Sequence, residues 1–380
     1  MKQLLRLLAL IVALGLLVAA CGGGGEEVAE EANDVEETIA TETEAVAETT
    51  TTNAPTAPDE EVEDDSDAEQ AISDGLIHPL TGVALGDGDD PDHAAVVVKI
   101  SNNDNTARAA LDGLDQADII YEERIEVEAT RFAAVFHSSL PEQVGSVRSG
   151  RTSDVQIVAN LNRPVFAFSG ANNGVNDQLR SAENDGVLLR ASAEFGSPEF
   201  SRINDFTAPD NLVADVSRLV DVAPEDSEAP SPVFDYSNNV RDLGRMSPGV
   251  VAQARSNAQY VWSESDGGYL RFQAGDPHVT RDGAQITPEN VVILTTSYVP
   301  SQIDAQSVDA VTIGEGRVEV YSNGARVVGT WSRAFPRDPY TLTTADGEVI
   351  GLTPGQTWVS LSPAGTSSEI SDERVEALVG

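Results

Sequence analysis

The sequence predicts an α/β N-terminal domain with a mixed sheet, followed by a mostly β C-terminal domain. Between about residues 79 and 222, short apolar runs typical of buried strands alternate with helix-like segments, as in a layered α/β structure. A Pro-rich acidic segment at residues 222–232 interrupts this pattern, and beyond it apolar residues recur with a period of two, as in strands. We therefore place the α/β domain at residues 76–222, a linker at 223–247, the β domain at 248–365 and a C-terminal tail at 366–380.

The sequence of the first 21 residues is typical of a lipoprotein signal. Two basic residues stand at the start, and the hydrophobic stretch that follows ends in Val18-Ala19-Ala20-Cys21, which contains the only cysteine of the chain. At 17 residues, the stretch 4–20 is at the short limit of a membrane span, and glycines rather than basic residues follow it. We expect residues 1–20 to be a signal peptide and Cys21 to carry a lipid thioether, with further acyl chains such as palmitate. Several acyl chains would anchor the protein stably to the cell membrane, on its extracytoplasmic side.

The composition of residues 21–75 predicts that they form a disordered acidic stalk. From residue 22 to residue 75 there are 19 Asp and Glu and no Lys or Arg, and the apolar residues show no periodicity. Such a segment buries too little surface to offset the entropy of ordering, and its charges repel one another. The stalk would hold the folded region away from the membrane surface.

The charge of the folded region excludes one class of partner. The chain has a net charge of -40, and beyond Gly75 there are still 44 acidic residues against 21 basic ones. Nucleic-acid binding needs a basic face that neutralises phosphates, so we expect no nucleic-acid partner. With one cysteine there is no disulfide to form within the chain. Lys99 is the only lysine after Lys2, so that almost every cation is an arginine.

The elements of the α/β domain can be placed in order. We expect helices from Thr152 or Ser153 through Leu161, at Val175–Ala182 and at Asn211–Val220, because their apolar residues recur at helical spacing. The strands are expected where short apolar runs are bounded by polar turn residues, at residues 94–100, 119–121, 132–136 and 164–168.

The β domain is predicted from the alternation of apolar and polar residues and from one Asn-Gly turn. The expected strands are residues 259–263, 269–272, 291–298, 317–321, 325–331 and 357–361. Asn323-Gly324 lies between two of them and is the strongest short signal for a hairpin. Residues 246–257 fit neither pattern and are left unassigned.

The densest polar chemistry lies at residues 113–151, and there the chain resembles a known family. The resemblance rests on six segments, which are Gln116–Glu122, Thr130-Arg131-Phe132 with Val135-Phe136 after it, the Gly-x-Val-Arg-Ser-x-Arg sequence at 145–151, Ala208–Leu212, Asn290-Val291-Val292, and Asn323-Gly324 followed by Gly329-Thr330-Trp331. Together they are similar to the YerB-like family of bacterial lipoproteins, a two-part domain of unknown function, over about residues 79–362. Two positions depart from that family, which carries Gly-Gly where this chain has Val127-Glu128 and His where it has Asp210. The second departure removes a group that could titrate.

The arginines of this region are the candidate ligand-binding residues. Arg131 begins a predicted strand, and Arg148 and Arg151 flank Ser149 in a Gly/Ser-rich loop that leads into a helix. Guanidinium groups beside backbone N–H donors favour binding of phosphate or carboxylate. Asp118, Glu122 and Glu126 are the natural counter-ions, or the catalytic candidates if the protein is an enzyme. In the alternative interpretation, the arginines pair with these carboxylates and only stabilise a buried polar junction.

Three hypotheses about function follow. The leading one is a non-enzymatic protein, attached to the membrane by its lipid anchor, that binds an anionic cell-wall polymer or an envelope protein through the arginines. The second is a transferase or hydrolase acting on a lipid-linked or cell-wall glycan with Asp118, Glu122 or Glu126 as acid, base or metal ligand. It draws on a loose similarity of residues 145–151 to the arginine segment of the LytR-CpsA-Psr glycopolymer transferases, whose acidic metal-binding pattern is not clearly present here. The third is a structural interaction module that uses its β domain. The four histidines lack metal-ligand spacing, so we expect no metal and no cofactor.

Overall fold

The computed structural model describes residue 70 and residues 75–126, 129–224, 227–252 and 257–380. The predicted signal peptide and Cys21 lie outside the described residues, as does almost all of the predicted stalk. Val127 and Glu128, where the sequence departs from the family pattern, also lie outside them.

The first part of the described chain alternates strands with short helices. Its strands are β1 (Val96–Ser101), β2 (Ile119–Arg124), β3 (Thr130–Phe136), β4 (Val144–Gly145), β5 (Val165–Phe168), β6 (Leu189–Ser192), β7 (Phe200–Arg202) and β8 (Leu212–Ala214). Its helices are α1 (Asn105–Ala109), α2 (Asp154–Val158), α3 (Asn173–Asn184) and α4 (Val216–Leu219), with 3-10 turns at Leu114–Gln116, Ala193–Phe195 and Val220–Val222. This is the predicted α/β part.

The second part is rich in strands. Its strands are β9 (Arg245–Met246), β10 (Gly249–Ala252), β11 (Ala258–Ser263), β12 (Gly268–Gln273), β13 (Asp276–Pro277), β14 (Asn290–Thr295), β15 (Tyr298–Pro300), β16 (Val308–Ala310), β17 (Gly314–Ser322), β18 (Ala325–Arg333), β19 (Thr341–Thr343), β20 (Thr357–Ser362) and β21 (Ser368–Glu369). Two helices, α5 (Val240–Leu243) and α6 (Asp372–Val379), flank them. The prediction of a mostly β C-terminal part is confirmed.

One mixed sheet runs through both parts. Its strand order is β19-β18-β17-β14-β20-β2-β3-β1-β5-β6, with β9 paired to β18 outside this path. The two parts meet where β2 pairs with β20 in parallel, with Ile119 opposite Thr357 and Glu122 opposite Ser360. The predicted mixed sheet is therefore present, and neither part has a main sheet of its own.

The main sheet is covered on both faces. On one face Val97, Tyr121 and Val135 share an apolar core with residues of α2 and α3. On the other, Val98 and Ile120 share a core with residues of a second, five-stranded sheet of order β13-β12-β11-β10-β21. Because successive strand residues point to opposite faces, a strand covered on both sides is apolar throughout, as the fully buried β1 shows.

The predicted Asn-Gly hairpin is confirmed. Asn323 and Gly324 join β17 to β18 with φ of 48° and 70°. Positive φ at both central positions makes the turn match the right-handed twist of the two strands.

The predicted helix at Asn211–Val220 is wrong over its first half. Leu212–Ala214 form β8, which pairs with β4 and β7 in a small three-stranded sheet, and only Val216–Leu219 are helical. The side chain of Asp215 accepts a hydrogen bond from the backbone N–H of Arg218 and so starts the helix there. Helical spacing of a few apolar residues did not reveal the strand partners that override it.

Two further segments, residues 223–247 and 246–257, contain residues that belong to the folded core or to a strand. Within residues 223–247, expected to be a linker, Val233, Phe234 and Tyr236 are buried in the core on the helical face of the main sheet. Within the unassigned residues 246–257, Gly249–Ala252 form β10.

Candidate anion-binding site

The arginine loop lies at the carboxyl edge of the main sheet. Strands β14, β20, β2, β1, β5 and β6 all run in the same direction, so that their carboxyl ends meet at one edge. The loop at residues 145–151 crosses this edge, where the N–H of Arg148 donates to the carbonyl oxygen of Lys99 at 2.8 Å. The N–H of Ser169 donates to the carbonyl oxygen of Arg148 at 2.9 Å. In open α/β sheets, ligands bind outside the carboxyl ends of the strands.

Arg131 is the most buried of the three arginines. It is the second residue of the central antiparallel strand β3, lies opposite Glu123 on β2 and is 5% exposed. Its Nη1 donates to the carbonyl oxygen of Ser149 at 2.8 Å, and its Nε has no hydrogen-bond partner among the described residues. Burial, followed by the nearby charge of Arg151, lowers the pKa of Arg131 to about 10. The guanidinium is therefore cationic at neutral pH but poorly compensated.

Arg148 is paired with a carboxylate from a distant loop. Its Nη2 donates to Oδ1 of Asp210 at 2.6 Å, and the two side chains are 15% and 11% exposed. Its Nε has no hydrogen-bond partner in the described part of the chain. Asp210 occupies the position at which the family pattern has His. In this chain, therefore, the side chain that faces Arg148 is a carboxylate.

Arg151 forms a bidentate pair with Glu126, which follows the carboxyl end of β2. Its Nε donates to Oε2 at 2.8 Å and its Nη2 to Oε1 at 2.6 Å. Burial alone would raise the pKa of Glu126, but the hydrogen bond from Arg151 and the positive charges of Arg151 and Arg131 hold it below its ordinary value. Of the three predicted carboxylates, Glu126 is the one brought to the arginine loop.

The three guanidinium groups outnumber their bonded carboxylates. Asp210 and Glu126 are bonded to Arg148 and Arg151, whereas the hydrogen bond of Arg131 goes to a backbone carbonyl. The carboxylates that act on Arg131 through space, Glu126 and Glu123, are each bonded to another cation. The loop therefore carries a positive charge without a bonded counter-ion of its own.

A hairpin from the second part flanks this edge of the sheet. It consists of β15 and β16 and follows the carboxyl end of β14. At its tip, Oδ2 of Asp304 accepts a hydrogen bond from Nδ2 of Asn172 at 2.8 Å. Hydrogen bonds from Ser307 and Gln306 and, to a smaller extent, the charge of Arg151 lower the pKa of Asp304. Both parts of the chain thus contribute groups around the loop.

Asp118 and Glu122 do not join the arginine loop. Asp118 precedes β2, at the opposite end from the loop, and accepts hydrogen bonds from the N–H and the hydroxyl of Ser138. Burial raises the pKa of Asp118 to about 6. Glu122 points to the face covered by the five-stranded sheet. The three predicted carboxylates therefore have separate partners, which does not support joint catalysis by them.

Glu122 belongs to a buried polar cluster that the sequence did not reveal. It accepts hydrogen bonds from Thr130 Oγ1 at 2.8 Å, Trp358 Nε1 at 3.2 Å and Arg271 Nη2 at 3.3 Å. The guanidinium carbon of Arg271 lies 4.4 Å from the ring centre of Trp358, and Arg271 is fully buried. The available signal was an arginine inside the apolar strand segment 269–272, but strand alternation also fits an exposed arginine.

A second buried cluster was also missed. Lys99 of β1 forms ion pairs with Glu123 and with Asp154, and all three side chains are fully buried. The available signal was a lone lysine in the apolar run at 94–100.

The described residues contain neither a cluster arranged to hold a metal ion nor a helix able to span a membrane. No group of three or more His, Cys, Asp or Glu residues in the described ranges is arranged to hold a metal ion. No helix in the part of the chain that the structure describes is long and apolar enough to cross a membrane.

These features define a class, a two-part protein built on one mixed sheet with an arginine-rich loop at its carboxyl edge. Residues 80–229 match the N-terminal domain, and residues 249–359 the C-terminal domain, of a family described as "protein of unknown function (DUF3048)". The chain belongs to this family.

Two comparisons with individual proteins agree. A Bacillus subtilis (strain 168) protein named "Putative lipoprotein YerB" is 24% identical over 285 residues, which cover 72% of this chain and 83% of that protein. The crystal structure of YerB protein from Bacillus subtilis matches with a TM-score of 0.66 at 23% identity, over 78% of this chain and all of that one. The structural likeness shows the shared fold. The family resemblance expected from the sequence is confirmed.

Proposed function

We propose that this protein is anchored outside the cytoplasm by a lipid on Cys21 and binds an anionic cell-envelope polymer through Arg131, Arg148, Ser149 and Arg151. The signal sequence before Cys21 and the lipoprotein name of the Bacillus relative support the anchor. The acidic residues after Cys21 then act as a spacer, which lets the folded region reach polymers beyond the membrane surface.

The observation that carries the binding proposal is the position of Arg131. A guanidinium that is 5% exposed has a backbone carbonyl instead of a carboxylate as its hydrogen-bond partner, and two more guanidinium groups lie beside it. Like charges held together in a poorly solvated place are costly unless an anion compensates them. A phosphate or carboxylate group at the loop would supply that compensation.

The side chains around Arg131 suggest how the anion is accommodated. The Nε groups of Arg131 and Arg148 are donors without partners among the described residues, and Arg148 is held to Asp210 through only one nitrogen. Both Nε atoms are buried, so an incoming oxyanion would first displace Asp210 from Arg148 and then accept from the two Nε groups. Arg151 is held to Glu126 by two hydrogen bonds, so this pair would stay in place when the anion binds. Its main contribution to binding would be to orient the loop.

The test measures retention of the full mature chain on two immobilised polymers. Poly(glycerol phosphate) presents phosphate and poly-γ-glutamate presents carboxylate, so that the pair distinguishes the two sources of negative charge. We expect Arg148→Gln to weaken retention roughly 10-fold to 100-fold, the range for losing one charge-assisted hydrogen bond. Arg151→Gln should also weaken retention, because it leaves the charge of Glu126 unpaired beside the loop.

Arg180→Gln is the matched control. Arg180 is more than half exposed and paired with Asp177 on α3, so its substitution removes the same charge away from the loop. Retention unchanged in folded Arg148→Gln and Arg151→Gln variants would remove the site. Failure of the wild-type chain to bind either polymer would contradict the proposed ligand class and leave an envelope protein as the partner to seek.

A further inference from the structure

The lone lysine of the folded region lies between two buried carboxylates. Lys99 Nζ is 2.7 Å from Oδ1 of Asp154, the first residue of α2, and it also donates to Oε1 of Glu123 on β2. The side chains of all three residues are fully buried. Lys99 extends from the same face of β1 as Val97, which belongs to the core on the helical side of the sheet.

The surroundings of this cluster exclude water. Tyr121 shares a face of β2 with Glu123, and Ile157 and Val158 of α2 follow Asp154; all three are fully buried in the same core. Burying one ammonium and two carboxylates is unfavourable because each ion loses its hydration, and the charge of Arg131, opposite Glu123, offsets only part of this cost. Condensing the ammonium with a carboxylate into a neutral amide would remove two of these buried charges.

We propose that Lys99 and Asp154 condense into an intramolecular amide, an isopeptide bond, with Glu123 as the proton relay. Glu123 carries one proton from the ammonium of Lys99 to the carboxylate of Asp154, which leaves a neutral amine beside a neutral carboxyl group. The amine attacks Cγ of Asp154 and a new N–C bond forms. Glu123 then takes a second proton from the attacking nitrogen and passes it to the hydroxyl oxygen of Asp154, so that one C–O bond breaks. One water molecule leaves, and no oxidant, reductant or other reactant takes part.

The contacts distinguish the electrophile from the relay. Oδ2 of Asp154 accepts a hydrogen bond from the backbone N–H of Arg151 at 2.6 Å, which polarises this carboxyl group for attack. Oε2 of Glu123 has no hydrogen-bond partner among the described residues and is available to carry a proton. Burial raises the pKa of Glu123 to about 7, where a carboxyl group both accepts and donates protons at neutral pH.

Proximity supplies the remaining driving force. The Lys99 nitrogen and a carboxyl oxygen of Asp154 are held 2.7 Å apart by β1 and α2, so the reaction is intramolecular and needs little reorganisation. The product would tie β1 to α2 and close the loop between residues 99 and 154. In a chain with a single cysteine, such a bond would take the place of a disulfide as a covalent brace.

Digestion with a lysine-specific endoproteinase provides a sharp test, because the chain has no lysine after Lys2 except Lys99. We expect the full wild-type chain, unfolded in urea, to resist cleavage after Lys99. Peptide mass mapping after a second protease should show a branched peptide joining Lys99 to Asp154, lighter by one water than its two linear components. Asp154→Ala should restore cleavage, and Glu123→Gln should slow or abolish formation of the bond.

Asp177→Asn is the matched control. It removes an exposed carboxylate on α3 that bonds to Arg180 and not to Lys99, so the branched peptide should persist. The decisive measurement is made on the wild-type chain and does not depend on a variant folding. Complete cleavage of the unfolded wild type after Lys99, with linear peptides of full mass, would overturn the proposal without affecting the proposed anion site.

Discussion

Arg131 donates to the carbonyl oxygen of Ser149 at 2.8 Å, although it stands directly opposite Glu123 on the neighbouring strand. Glu123 is instead bonded to Lys99. Arg131 therefore ties the start of β3 to the arginine loop while keeping its charge uncompensated by a bonded carboxylate. The same guanidinium positions the loop and contributes to the proposed anion site.

Replacing Arg131 with Gln should loosen the loop. Loss of the hydrogen bond leaves the partly buried carbonyl of Ser149 without its principal donor, which costs about 1 kcal/mol. The free energy of unfolding in urea gives the global effect. Amide hydrogen exchange at Arg148 and Gly150, whose N–H groups bond to the backbone of Lys99 and Gly170, gives the local effect. Unchanged exchange at both amides would show that Arg131 does not hold the loop.

Breaking the buried pair of Glu122 and Arg271 should be far more damaging. Both side chains are fully buried, so Glu122→Gln leaves an uncompensated guanidinium, and we expect a loss of about 3–5 kcal/mol of unfolding free energy. Combining Glu122→Gln with Arg271→Met should recover much of this loss, because the buried charge is then gone. A double variant as unstable as the sum of the two single variants would contradict this explanation.

Asp118 should make the protein less stable as the pH rises. Its pKa is about 6 in the folded state and lies near 4 in the unfolded chain, so the folded state binds the proton more tightly. The contribution is fully present below pH 4 and is lost as the pH rises through 6, by about 3 kcal/mol in total. The free energies of unfolding of the wild type and Asp118→Asn, measured in urea at pH 4, 5, 6 and 7, isolate the contribution of Asp118. A difference between the two proteins that is constant with pH would refute it.

The imidazole of His278 should remain neutral from pH 7 to pH 5. Arg271 Nη1 points at its Nδ1, and because a guanidinium can only donate, Nδ1 accepts and Nε2 carries the hydrogen. Burial, followed by the charges of Arg271 and Arg108, lowers the pKa of His278 well below its usual value. The stabilising contribution is present above pH 6.5 and is lost as the pH falls. Long-range ¹H–¹⁵N spectra should show an unchanged Nε2–H tautomer from pH 7 to pH 5, whereas an imidazolium signal at pH 6 would disprove the assignment.

Local patterns in the sequence were sufficient for much of the fold. The apolar run at 94–100 identified β1, and Asn323-Gly324 identified the hairpin, because each depends on neighbouring residues alone. The pairing of β2 with β20 was not predictable, since alternation shows that a strand is half-buried or buried but not which strand lies beside it. The error at residues 211–220 has the same origin.

The candidate site was predictable only in part. Its arginines could be named because two of them share one Gly/Ser-rich loop with Ser149, whereas their partners could not. Asp210 is 62 residues from Arg148, and Arg271 is 149 residues from Glu122. A carboxylate in a sequence has no feature that indicates its partner, so only the fold distinguishes Glu126 at the loop from Asp118 at the far end of β2.

The most direct test of anion binding follows the arginine Nε–H groups by ¹H–¹⁵N spectroscopy while inorganic pyrophosphate is added to the full mature chain. Binding at the loop predicts saturable shifts of the Nε signals of Arg131 and Arg148, with Arg180 unchanged. Absence of shifts at Arg131 and Arg148, or equal and non-saturating shifts at Arg180, would contradict the site.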